Sequence, residues 1–101
     1  MRQSRELRFD VNHPSAAGHF PGNPIIPGAL LLDEVVRAIA DGEAGDIAIR
    51  SVKFLLPVRP GDGVELQWER DADGETRFEC RILEGGGLAL VGSLRLMGQA
   101  S

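Results

Sequence analysis

Cysteine is nearly missing from this chain: Cys80 stands alone, so no disulfide can close within one copy and no cysteine metal cluster can form. A reducing compartment fits that usage. Histidine is almost as scarce, with only His13 and His19 and no HExxH or paired-ligand spacing, so no metal is expected. An excess of positive charge is also absent. Lys and Arg number 11 against 15 Asp and Glu, a net charge of −4, which counts against nucleic acid as a partner because phosphates call for a basic face. No apolar run reaches membrane length: the stretch from Pro24 to Leu32 is about half of what a spanning helix needs. The opening MRQSRELRFDV carries charges without an apolar core and is not expected to act as a secretory signal. Neither GxGxxG nor a P-loop nor GxSxG occurs, which removes the sequence support for a nucleotide site or a serine hydrolase. The expectation is a soluble cytoplasmic protein that needs no cofactor.

What is present reads as one small domain over residues 1–101, with 43% apolar and 26% charged residues. A chain this short buries only about two-thirds of its unfolded surface, so a partner chain is a ready way to complete the core. Thirteen glycines and six prolines predict many turns. Period-two alternation marks strands with one buried face at Leu7, Phe9 and Val11; at Val64, Leu66 and Trp68; and at Thr76, Phe78, Cys80 and Ile82. Leu88, Leu90, Gly92, Leu94 and Leu96 share one face of a last strand, and Gly85 to Gly87 read as the hairpin turn before it. A further strand is predicted from Ile47 to Leu55, with a bulge where the parity shifts between Ile49 and Val52. The one helix is predicted from Gly28 to Asp41, led in by Pro27 and stopped by Gly42. It is apolar over most of its circumference and is therefore expected to be buried. The class is α+β, an antiparallel sheet of about five strands wrapped around one long central helix.

Chemistry concentrates in GHFPGNPIIPG, Gly18 to Gly28. Pro21, Pro24 and Pro27 stiffen this loop, which reads either as a rigid connection or as a functional loop held in shape. His19 heads it. A lone histidine is more often a surface or satisfied core residue, and the functional alternative is a general base. His13 reads as a loop residue. Asp33 lies one turn inside the helix, on a stripe with Arg37 and Asp41. Either that stripe is solvated and carries an Asp33–Arg37 pair, or Asp33 faces an apolar cleft, the setting a general acid needs.

At HFPGNPIIPGALLLD the sequence resembles the β-hydroxyacyl-(acyl carrier protein) dehydratases of the hot-dog fold, the 3-hydroxydecanoyl and 3-hydroxymyristoyl type. That family carries a GHFPxxPxxPG loop and a helix with Glu or Asp fourteen residues after the histidine, which is where Asp33 lies after His19. VKFLLPVRPGDGVEL, from Val52 to Leu66, is similar to the family's strand and turn before the third strand. The resemblance implies dehydration of a (3R)-hydroxyacyl thioester to the trans-2-enoyl thioester on acyl carrier protein or coenzyme A, in fatty-acid, polyketide or aryl-polyene biosynthesis. It implies His19 as base, Asp33 as acid, and the Gly28 amide holding the thioester carbonyl. Phe20, Ile26, Leu30 and Leu31 would line the acyl chain. It also implies a homodimer joined edge to edge, with His19 of one chain facing Asp33 of the other.

The chain departs from the family at Arg37, where members usually have glutamine, and at Leu55 and Leu56, where an arginine is usual. Arg37 is expected to turn away from the cleft towards Asp41, which leaves Asp33 free. A hot-dog thioesterase and a non-catalytic partner subunit of a longer dehydratase are the alternatives to a dehydratase.

Overall fold

The computed structural model describes residues 2–9, 25–41 and 45–97. Along the chain lie β1 (Arg2–Arg8), α1 (Gly28–Ile39), β2 (Asp46–Phe54), β3 (Gly63–Arg70), β4 (Glu75–Ile82) and β5 (Leu88–Met97). The strands form one antiparallel sheet in the order β1-β3-β4-β5-β2. This is the hot-dog arrangement: a sheet whose apolar face is closed by one helix. Period two explains which face that is. Val64, Leu66 and Trp68 of β3 oppose Ile82, Cys80 and Phe78 of β4, and all but Ile82 are buried. Leu90 and Leu94 continue the layer in β5. From the helix side, Leu31, Val35, Ala38 and Ile39 fill it.

The bulge in β2 falls where the parity shift predicts it, between Ile49 and Ser51. The extra residue returns Val52 and Phe54 to the face that Ile47 and Ile49 occupy, opposite Gly92, Leu90, Leu96 and Leu94. Gly92 is a packing requirement. A Cβ there would meet the Ser51 carbonyl oxygen and lie 2.7 Å from the Phe78 ring, which lies against the bare backbone. Gly85 and Gly86 turn the chain between β4 and β5 at φ of 94° and 74°.

Three expectations need correction. The first strand runs from Arg2 to Arg8, not from Leu7 onward. It is held by backbone pairing to β3 while its side chains stay largely exposed, so it has no apolar period to read; Phe9 is buried just beyond it, and Val11 lies outside the described residues. The helix ends at Ile39, with Ala40 and Asp41 in a turn. It is also not buried all round, because Ala29, Asp33 and Arg37 form an exposed face.

Candidate active site

The loop head that was expected to supply His19, Phe20 and the first prolines lies outside the described residues, as does His13. The other end of that loop is well defined. The Ile26 amide donates to the Val58 carbonyl at 2.7 Å, which fastens the loop to the turn after β2. Ile26 itself is buried in the core. Pro27 caps α1 with φ −55° and has no N–H to leave unpaired. Its carbonyl accepts from Leu30 and Leu31 at 3.0 and 3.1 Å. The Gly28 amide has no acceptor among the described residues, so the helix start keeps a free donor at the positive end of its dipole.

Why glycine stands at position 28 is visible in the packing. A Cβ there would lie 2.9 Å from the Phe54 ring, which rests against the helix start from the end of β2. Phe54 is thus brought to the candidate oxyanion donor, a neighbour that alternation along β2 alone does not reveal. It remains half exposed, as do Ile49, Leu55 and Leu56.

Asp33 lies on the exposed face of α1, and among the described residues no apolar cleft encloses it. Its Oδ2 accepts a hydrogen bond from Arg37 Nε at 2.9 Å, with the two side chains 52% and 73% exposed. Arg37 does not turn to Asp41. Asp41 lies beyond the last helical residue, Ile39, out of the helical i, i+4 position, and Arg5 of β1 reaches its Oδ2 at 3.4 Å. The solvated-stripe alternative describes the single chain. Around that pair the helix surface is apolar, since Leu30, Leu32 and Val36 are only half buried and Ala29 is exposed. Leu31, the other predicted lining residue, points into the core.

The structure therefore brings Gly28, Phe54 and the free edge of β2 together, with Asp33 about one and a half turns further along the same helix. An open groove of about 870 Å³ lies on the opposite face of the sheet, lined by Ser51, Lys53, Arg77 and Ser93 among others, and it includes none of these residues.

Residues 2–90 match the model of the ApeI-like family, described as ApeI dehydratase. The chain belongs to the ApeI-like dehydratase family. A 3-hydroxyacyl-[acyl-carrier-protein] dehydratase FabZ of Thermomicrobium roseum is 42% identical over 67 residues, 56% of this chain and 45% of that protein. The FabZ of Klebsiella pneumoniae subsp. pneumoniae is 36% identical over 95 residues, 80% of this chain and 58% of that one. The chain thus spans about half the length of these curated relatives. Among solved structures, the dehydratase heterocomplex ApeI:P from Xenorhabdus doucetiae matches with a TM-score of 0.74 at 26% identity, covering 94% of this chain and 86% of that chain. Among the described residues, no helix is long and apolar enough to cross a membrane.

Proposed function

We propose that this chain, acting as a single domain over residues 1–101, is a cytoplasmic 3-hydroxyacyl-[acyl-carrier-protein] dehydratase that works as a homodimer without a cofactor. His19 removes the α-proton of a (3R)-hydroxyacyl thioester. The electron pair passes into the thioester, whose carbonyl oxygen is held by the Gly28 amide, and returns to form the α,β double bond. The β C–O bond breaks, and Asp33 delivers a proton to the departing hydroxyl, which leaves as water. The products are the trans-2-enoyl thioester and one water, so atoms and electrons balance without a redox partner. Phe20, Ile26, Leu30 and Leu31 are the proposed apolar lining.

The observation that carries this reading is the helix start. The Gly28 amide is unbonded among the described residues, and it sits against Phe54 at a free sheet edge on a chain whose family is dehydratase. A second subunit paired along β2 would cover the apolar helix surface around Asp33 and change an exposed carboxyl into an enclosed one. The test is mass spectrometry of a (3R)-hydroxyacyl carrier protein panel after incubation with the purified chain. Loss of water from at least one chain length is expected. Unchanged substrates would overturn the reading, and free carrier thiol would assign a thioesterase instead.

One observation keeps the partner-subunit reading in view: β2 offers an unpaired apolar edge that a non-identical hot-dog chain could also pair, and the solved relative is a heterocomplex. Dehydration by the purified chain alone decides against it.

A further inference from the structure

We infer that Arg37 is a positioning residue for Asp33, acting through its Nε–H and not through its charge. The inference rests on the dehydratase reading of Asp33, but its geometry stands apart from that reading. The contact is a single hydrogen bond from Nε to Oδ2 at 2.9 Å, made across one helical turn. Arg37 has carboxylates four residues away on both sides, but only Asp33 lies within α1; Asp41 follows its last residue, Ile39, where helical i, i+4 geometry no longer holds, and is reached by Arg5 from β1. The choice of partner is thus set by where the helix ends. The bond turns Oδ2 towards Arg37 and leaves Oδ1 for a reacting hydroxyl. A proton carried on Oδ1 and a hydrogen bond accepted at Oδ2 are compatible in one carboxyl group.

The donor atom makes the inference sharp. Nε is the fourth side-chain atom of arginine, after Cβ, Cγ and Cδ. The amide nitrogen of glutamine occupies that same place, with an N–H to give. Lysine keeps the charge but puts a methylene there, with its nitrogen one atom further on. Methionine matches the length and has no donor. In the single chain both side chains of the pair are largely in water, so the pair itself contributes little to its stability. Variants at position 37 therefore report on the orientation of Asp33 and not on the fold.

The experiment compares Arg37→Gln, Arg37→Lys and Arg37→Met in the full chain, measuring kcat, KM and Tm on a (3R)-hydroxyacyl thioester, with Asp33→Asn beside them. Arg37→Gln is expected within about threefold of the parent, whereas Arg37→Met and Arg37→Lys lose about tenfold or more in kcat at unchanged KM and Tm, the usual scale for a misplaced catalytic group. Methionine as active as arginine would overturn the inference, as would lysine matching glutamine, a change in KM alone, or a loss of kcat that follows Tm. An active Asp33→Asn would sink the dehydratase reading instead. A further readout needs no turnover: the Asp33 β-proton couplings. One fixed rotamer in the parent and in Arg37→Gln, with averaged couplings in Arg37→Met, supports positioning; averaging already in the parent overturns it.

Discussion

Thr76 and Cys80 stand on the apolar face of β4, four residues apart, and both carry a polar group into the core. The Thr76 hydroxyl is buried and has no hydrogen-bond partner among the described residues. An unpaired buried hydroxyl costs about 1–3 kcal/mol of desolvation. Thr76→Val keeps the β-branched shape and removes that cost, so it should stabilise the protein by about 1 kcal/mol, read as a higher midpoint in urea. A lower midpoint would show that the hydroxyl is satisfied in solution. Cys80 is fully enclosed, and burial, helped by the nearby charge of Glu79, pushes its thiol from an ordinary 9.0 up to about 12. Between those values the unfolded chain gives up a proton that the folded chain keeps, so the native state binds more protons and stability falls as pH rises. Stability should be insensitive to this group below pH 9.0. Above it, the loss should approach about 1.4 kcal/mol per pH unit. Urea titrations of the parent and Cys80→Ala across that range isolate the effect: a parallel decline in both would assign it to other groups.

At the scale of elements, the two sheet edges are unlike. The outer strand β1 presents Arg2, Arg5 and Arg8, and its side chains are exposed except for the half-buried Leu7. Charged edges resist pairing with another strand. The edge at β2 also carries exposed charges, Asp46, Arg50 and Lys53, but it adds exposed Ile49 and Phe54, with Leu55 and Leu56 just beyond, an apolar surface that a second strand could cover. Ile49→Lys should therefore yield a folded monomer, while Gln3→Lys on β1 leaves assembly unchanged; light scattering with circular dichroism separates loss of pairing from loss of fold. Much of this architecture could be read from the chain before folding was considered. The strands β3, β4 and β5 are legible because each has one wet and one dry face. The bulge in β2 is legible because a change of parity has no other backbone solution. Two features were not. β1 has no apolar period, since its place depends on backbone pairing to β3. The direction of Arg37 follows from where the helix stops: it ends at Ile39, two residues before the predicted end, which takes Asp41 out of the helical i, i+4 position. Local spacing makes the two carboxylates look equivalent because it places the helix end two residues too late.

For the whole molecule, the exposed face of α1 is the feature a single chain leaves unexplained. Ala29, Asp33 and Arg37 look outward, flanked by half-buried Leu30, Leu32 and Val36, on a helix that starts beside the apolar edge at Phe54. If two copies pair along β2 and each site takes His19 from one copy and Asp33 from the other, the two halves of the chemistry can be separated by mutation. His19→Ala and Asp33→Asn should each abolish dehydration, since losing the general base or acid removes about 10²–10⁴ in rate. Mixing the two inactive variants and allowing subunits to exchange gives a different result. About half of the dimers become mixed by random assortment. In a mixed dimer one site combines both damaged residues and the other combines both intact ones. One of its two sites is restored, so the mixture should recover about a quarter of the parent activity, and the recovery should build up at the rate of subunit exchange. A histidine and an aspartate acting within the same copy would leave every site in the mixture damaged. No recovery, in the presence of exchange shown by mass spectrometry of the intact dimers, would therefore place the whole site in one chain and remove the functional reason for the dimer.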